Sequence, residues 1–373
     1  MSAPLVKLNN GLEIPAIGLG TWQSKSNEVT AAVEFALKEA GYRHIDCAWG
    51  YGNEKEVGDG IRASGVPRSD IFITSKLWGT YHSRVEECLD QTLANLGTDY
   101  LDLYLVHWPV PLNPKGNHPI FPLLPDGKRD VDHSWDLKDT WKQMEAMVQK
   151  GKVKSIGVSN FSQKKLDEIL PTAEIIPVVN QLELHVYNPQ HKLVEYLRSK
   201  DIVPEAYSPL GSAGSPLLSD ETVLDIAKKH SLQAADVLVG YLLAKGMVVL
   251  PKSITPSRIA SNLSGAVNAS TKLESGDIEK LDGLAAAGKQ KRFITPPGLS
   301  ILDSTTGRVC YSGFGHESIV TSVPVSHVTV LQLASIKRIC FRCELSFAVV
   351  LVARKRVGSI VPGRVSEPTI VNV

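Results

Sequence analysis

Apolar positions along this chain fall into two alternating rhythms. Short continuous runs at 17–20, 43–46, 71–75, 101–106, 153–158, 176–180, 202–207 and 247–250 read as buried strands. Between them, apolar residues recur at three- and four-residue spacing, the mark of a helix with one buried face. The first such stretch is capped near Ser26 and carries Val29, Ala32, Val33, Ala36, Leu37 and Ala40 on one face. The same spacing predicts helices over 53–64, 83–96, 136–150, 162–170, 189–199, 219–230, 233–244 and near 255–264. Ahead of this series, Val6-Lys7-Leu8 and Leu12-Glu13-Ile14 flank Asn10-Gly11, a strong short-range hairpin signal.

Strands alternating with helices pair in parallel. An open doubly wound sheet and a closed (β/α)8 barrel both fit that alternation. Eight strands over roughly 250 residues favour the barrel. So do the polar residues at the C-terminal ends of several different strands, where a barrel builds its site. No Gly-x-Gly-x-x-Gly turn follows any strand, so the open-sheet dinucleotide fingerprint is missing. The expected fold is α/β, a (β/α)8 TIM barrel over 1–297 with an N-terminal β-hairpin cap.

Composition narrows the function classes. The 373 residues are 43% apolar and 21% charged, ordinary for a globular chain. A net charge of +1 lacks the basic excess of a nucleic-acid surface, so no nucleic-acid partner is expected. The N-terminus shows no secretory signal, and no apolar run reaches the roughly 18 residues of a membrane span. Five cysteines without framework spacing suit a reducing compartment. These features predict a cytoplasmic protein without a membrane partner, and no metal-ligand constellation stands out.

Charge shifts near Pro297: residues 298–373 hold eight Lys/Arg against four Asp/Glu, while the first 297 hold 32 against 35. The last segment is rich in Val and Ser and poor in helical periodicity. It contains a single Cys340-Phe341-Arg342-Cys343, which lacks the second pair of a zinc site. Residues 298–373 therefore read as an atypical tail, disordered or the product of a translated intron or shifted reading frame, with a genuine extension as the alternative.

Four ionisable groups lie at or just after consecutive strands: Asp46, Tyr51, Lys76 and His107. Such groups are expensive at buried strand ends unless paired or used. An ammonium beside a phenol favours the phenolate, so Lys76 is expected to lower the Tyr51 pKa, while Asp46 holds Lys76 charged. His107 offers a directional hydrogen bond. Together these parts can pass a proton to a carbonyl oxygen as negative charge develops there.

The residues around these groups resemble the aldo-keto reductase family, most closely its fungal and plant aldehyde, aldose and glycerol reductase branch. The resemblance rests on the segment Gly41 to Glu54, on Leu105-Val106-His107-Trp108-Pro109, and on Gly151-Lys152-Val153 with Gly157 to Phe161. Val178 to Glu183, Ala206 to Gly211 and Leu250 to Pro256 extend it, so that it covers about residues 5 to 297. It implies NADPH-dependent reduction of a small aldehyde or ketone, with Tyr51 as proton donor, Lys76 and Asp46 tuning it and His107 orienting the carbonyl. It also implies that Ser159, Asn160 and Gln181 hold the nicotinamide carboxamide and that Tyr207 stacks on the ring. Ser208 and Leu210 would line the pyrophosphate. Lys252, Ser253 and Arg258 would grip the 2′-phosphate, with Asn262 near the adenine.

Three departures from the pattern stand out. Cys47 stands where the family often has Thr, Ser261 replaces a common Glu, and the segment 211–219 is short, which implies an open cofactor groove. Trp22, Trp49, Trp78, Trp108 and Phe121, with the Pro-rich loop 109–135, are the expected walls of an apolar pocket suited to neutral carbonyl compounds. The family's short closing terminus is replaced by the tail. That leaves a second reading open: a cofactor-binding barrel that is catalytically impaired or regulatory. A monomer is the family-like expectation.

Overall fold

The apolar runs form one parallel sheet whose strands neighbour each other in chain order, as seen in a computed structural model that describes residues 3–212 and 214–295. A two-stranded hairpin precedes it, β1 (Leu5–Lys7) and β2 (Glu13–Pro15), antiparallel with Val6 opposite Ile14. The barrel strands are β3 (Leu19–Gly20), β4 (His44–Asp46), β5 (Phe72–Leu77), β6 (Leu103–Val106), β7 (Ile156–Ser159), β8 (Val179–Glu183), β9 (Val203–Tyr207) and β10 (Val248–Leu250). The sheet closes on itself. Val249 N–H donates to Ala16 O at 2.8 Å, and Gly18 N–H donates to Val249 O at 3.0 Å.

Ten helices alternate with these strands or follow them among the described residues. They are α1 (Ser26–Lys38), α2 (Glu54–Ser64), α3 (Val85–Leu96), α4 (Leu137–Gln149), α5 (Gln163–Ile169), α6 (His191–Ser199), α7 (Glu221–His230), α8 (Ala234–Ala244), α9 (Pro256–Lys272) and α10 (Ser275–Gly283). Asp136 caps α4 by accepting from Lys138 N–H, and Asp220 caps α7 by accepting from Thr222 N–H. None of these helices is long and apolar enough to cross a membrane.

Alternation along each strand sorts its side chains into two cores. Ile73, Tyr104, Val106 and Val249 join the large cluster between sheet and helices. Phe72, Leu103, Leu105 and Val248 point the other way and join Leu8 and Ile14 of the hairpin in a smaller cluster. The hairpin therefore plugs one end of the barrel interior. Gly18 is required at the seam where the barrel closes, because a Cβ there would come within 2.7 Å of the His44 ring.

Three sequence expectations need correction. The strand expected at 176–180 is Val179–Glu183, because Ile176 is exposed in the loop before it. The helix expected near 255–264 runs on to Lys272, packing small residues against α8: a Cβ on Gly240 would meet Ala269 at 2.5 Å. Helix α10 was not expected, since its fully buried apolar side chain is Leu281 alone. The expected tail from 298 onward lies outside the described residues.

Candidate active site

Asp46 ends β4, Lys76 lies near the end of β5, and Tyr51 sits on a single 3-10 turn, Trp49–Tyr51, directly after β4. The Lys76 ammonium is fully buried and donates to both Asp46 carboxylate oxygens at 2.8 Å, to Cys47 O at 2.9 Å and to the Tyr51 phenol oxygen at 3.3 Å. Burial is the largest single influence and works against that ammonium, but the Asp46 charge, Tyr51 and the hydrogen bond to Asp46 together outweigh it and the net displacement of its pKa is upward. Lys76 therefore stays charged.

The phenol behaves differently from expectation. Burial pushes the Tyr51 pKa up to about 12, and the Lys76 charge offsets only part of this. The protonated phenol is thus the stable form. Its oxygen accepts from Lys76, which has no acceptor to offer in return, so the phenolic hydrogen points away from Lys76.

His107 packs edge-on against Tyr51, ring centroids 5.6 Å apart, and against Trp78 at 5.3 Å. Burial first, and the Lys76 charge second, hold the imidazole well below its usual pKa, so it is neutral. Around it the residues expected to hold a carboxamide form one network. Tyr207 O–H donates to Asn160 Oδ1 at 2.9 Å, Asn160 Nδ2 donates to His107 O at 3.0 Å and to Ser159 Oγ, and Ser159 O–H donates to Gln181 O. Asn160 and Ser208, each just past a strand, hold left-handed backbone at φ 62° and 50°, a strain that non-glycine residues keep only where the surroundings enforce it.

Ser208 and Leu210 follow β9, and Lys252 and Ser253 follow β10; because these strands are neighbours, the two segments leave the barrel side by side. Lys252 and Arg258 are exposed, Asn262 is buried on α9, and the first turn of α9 carries no acidic residue. Two cations, the Ser253 hydroxyl and an uncompensated helix N-terminus are a donor set suited to a phosphate.

The aromatic residues divide. Trp78 contacts His107 and stacks edge-on with Phe121 at 5.4 Å, with its indole N–H donating to Ile120 O. Trp108 stacks beside His107 at 6.4 Å, and Trp22 is exposed. Trp49 is tied elsewhere: its indole donates to Gln91 Oε1 on α3 and its ring packs on Tyr81. That geometry ties Trp49 to α3.

Two buried carboxyls were missed. Glu205, on β9, accepts from Gln181 Nε2 at 2.9 Å. Glu183, at the end of β8, accepts from the backbone N–H groups of Phe293 and Ile294 at 2.6 and 2.9 Å and pins that segment. A charged residue inside the apolar run 202–207 was the available signal for Glu205.

Residues 16–286 match the aldo/keto reductase family. The chain is 52% identical to a D-galacturonate reductase of Hypocrea jecorina, over 80% of this chain and 96% of the relative. It is 45% identical to the glycerol 2-dehydrogenase (NADP(+)) of Saccharomyces cerevisiae, over 79% and 95%. The aldose reductase structure from Schistosoma japonicum superposes with a TM-score of 0.72 at 42% identity, covering 78% of this chain and 94% of that one.

Proposed function

The chain belongs to the aldo/keto reductase family, and from that premise we propose that it is an NADPH-dependent reductase converting a small hydroxylated aldehyde or ketone to the alcohol, with Tyr51 as proton donor. The observation that carries this reading is the one-way hydrogen bond from Lys76 to Tyr51, which turns the phenolic hydrogen away from the ammonium. The relatives' names add the substrate class, since one reduces a sugar acid and another acts on glycerol.

The residues fit the cofactor. The exposed Lys252 and Arg258 beside Ser253 and the α9 N-terminus suit the 2′-phosphate that distinguishes NADPH. Ser159, Asn160 and Gln181 present an amide-binding edge, and Tyr207, tied to Asn160, offers a ring face. When bound, NADPH supplies the hydride for the carbonyl carbon. His107, kept neutral, orients the carbonyl by hydrogen bonding without adding charge. As the carbon–oxygen π bond opens, Tyr51 gives its proton to the oxygen. The phenolate left behind is held by Lys76, itself held by Asp46, until water returns the proton. The protein acts in this reading as a cytoplasmic monomer on a free small molecule.

Purified protein should oxidise NADPH when given glyceraldehyde or a hexuronate, and much more slowly when given NADH. Tight NADPH binding without oxidation across such carbonyls would support a binding-only barrel instead.

A further inference from the structure

We propose that Glu205 is a positioning residue: with Asp46 it grips the side-chain amide of Gln181 from both sides, fixing that amide and tying the Asp46–Lys76–Tyr51 chain to a second buried carboxyl. The inference rests on the reductase reading for its kinetic consequences but not for its geometry.

Gln181 Nε2 lies 2.9 Å from Asp46 Oδ2 and 2.9 Å from Glu205 Oε2. Both neighbours are acceptors, so the nitrogen must face them and both of its hydrogens are committed. The amide oxygen, which accepts no hydrogen bond among the described residues, is left to a third partner, and the N–H of a carboxamide ligand is its complement. Without Glu205 one hydrogen would lose its acceptor and the amide would be held from one side only, by Asp46.

The second Glu205 oxygen is buried without a partner and lies 3.9 Å from His44 Nε2. His44 has no hydrogen for it. Its Nδ1 must donate to Pro15 O at 3.2 Å, and its Nε2, in the neutral ring, accepts from the Thr74 hydroxyl at 3.0 Å. A bare carboxylate oxygen there would be costly, whereas the neutral acid avoids burying a second charge beside Asp46. The groups facing Glu205 are Asp46 and His44 from β4, Lys76 from β5 and Gln181 from β8, with Val248 of β10 as its register partner. Burial, then the Asp46 charge, push its pKa up to about 8, against weaker pulls from Gln181 and Lys76. A file of polar groups thus runs through the barrel interior from Pro15 to Tyr51: His44, Glu205, Gln181, Asp46 and Lys76. When Glu205 ionises, a second negative charge joins Asp46 behind Lys76 and makes the phenol a poorer acid.

Glu205→Gln and Glu205→Leu, each compared with wild type, test this. The Gln variant should keep kcat within about twofold near neutral pH and move the alkaline limb of the kcat profile upward by about one pH unit. The Leu variant, which removes the acceptor, should weaken NADPH binding about tenfold by fluorescence titration, a readout that needs no turnover. Infrared spectra of folded wild type across about pH 6 to 9 should show a protonated carboxylic acid band that ionises and is absent from the Gln variant. That third measurement holds even if the Leu variant fails to fold. Unchanged NADPH affinity in a folded Leu variant would overturn the proposal. So would an unchanged pH profile in the Gln variant, or wild-type spectra without a protonated carboxyl.

Discussion

Lys76 Nζ stands 2.8 Å from each Asp46 oxygen and 3.3 Å from the Tyr51 oxygen, with no water-exposed surface of its own. One buried cation thus holds a carboxylate and a phenol together. Removing either charge alone leaves the other uncompensated, which typically costs about 3–5 kcal/mol. Asp46→Asn and Lys76→Met should each lower Tm by several degrees. The double variant should recover part of that loss while remaining inactive, which a thermal shift assay beside an activity assay will read.

The acid limb of stability should follow three buried histidines. Burial lowers His44 and His82 from the ordinary 6.5 to about 4, and His107 well below it. The native state therefore binds fewer protons than the unfolded chain in this window. The contribution is present above about pH 6.5 and is lost as pH falls toward 4, at about 1.4 kcal/mol per pH unit for each proton taken up. Calorimetry should find Tm falling across that window. His82→Gln, a change outside the tetrad at the Thr140 contact, should flatten the fall by about one proton.

Glu205 marks the opposite sign. With its pKa raised, the native state keeps a proton that the unfolded chain has released, so its contribution is fully present below about 4.5 and is lost as pH rises through about 8. Wild-type Tm should therefore fall more steeply than that of Glu205→Gln between neutral and mildly alkaline pH.

Cofactor choice should lie at the exposed pair beside α9. Lys252→Ala and Arg258→Ala should each weaken NADPH binding about tenfold or more, as expected for charge-assisted contacts to a phosphate, and leave NADH within about threefold. The salt dependence of NADPH affinity should shrink in both variants. Fluorescence titration at two ionic strengths measures all three quantities.

Much of this site was legible because buried ionisable residues at strand ends are rare. That rule found Asp46, Lys76 and His107, and the barrel followed from the same alternation. A strand-end rule passes over Glu205, which sits mid-strand beside Ala206. The raised Tyr51 pKa was not legible, because the cation beside the phenol can be read from neighbouring strand ends but the depth of burial cannot. The tie from Trp49 to α3 was not legible either, since an aromatic after a strand gives no hint that Gln91 on that helix will take its indole N–H. Helices α9 and α10 were under-read because they pack through Gly265, Ala266 and Ala269 or through one leucine, which leave little hydrophobic stripe.

Pocket shape should depend on Gly50, one residue before Tyr51. A Cβ there would lie 2.4 Å from the Trp78 ring, and Trp78 touches both His107 and Phe121. Gly50→Val should displace Trp78 and raise KM for bulky carbonyl compounds several-fold, with NADPH affinity unchanged. Steady-state kinetics over substrates of increasing size will show it.

Tyr51 is the proposed proton donor. Single-turnover oxidation of bound NADPH by glyceraldehyde, followed in wild type and Tyr51→Phe, tests it most directly. The variant should bind NADPH normally and react at a rate lower by about 10²–10⁴, the range of general acid catalysis. A Tyr51→Phe enzyme that turns over bound NADPH at the wild-type rate would contradict it.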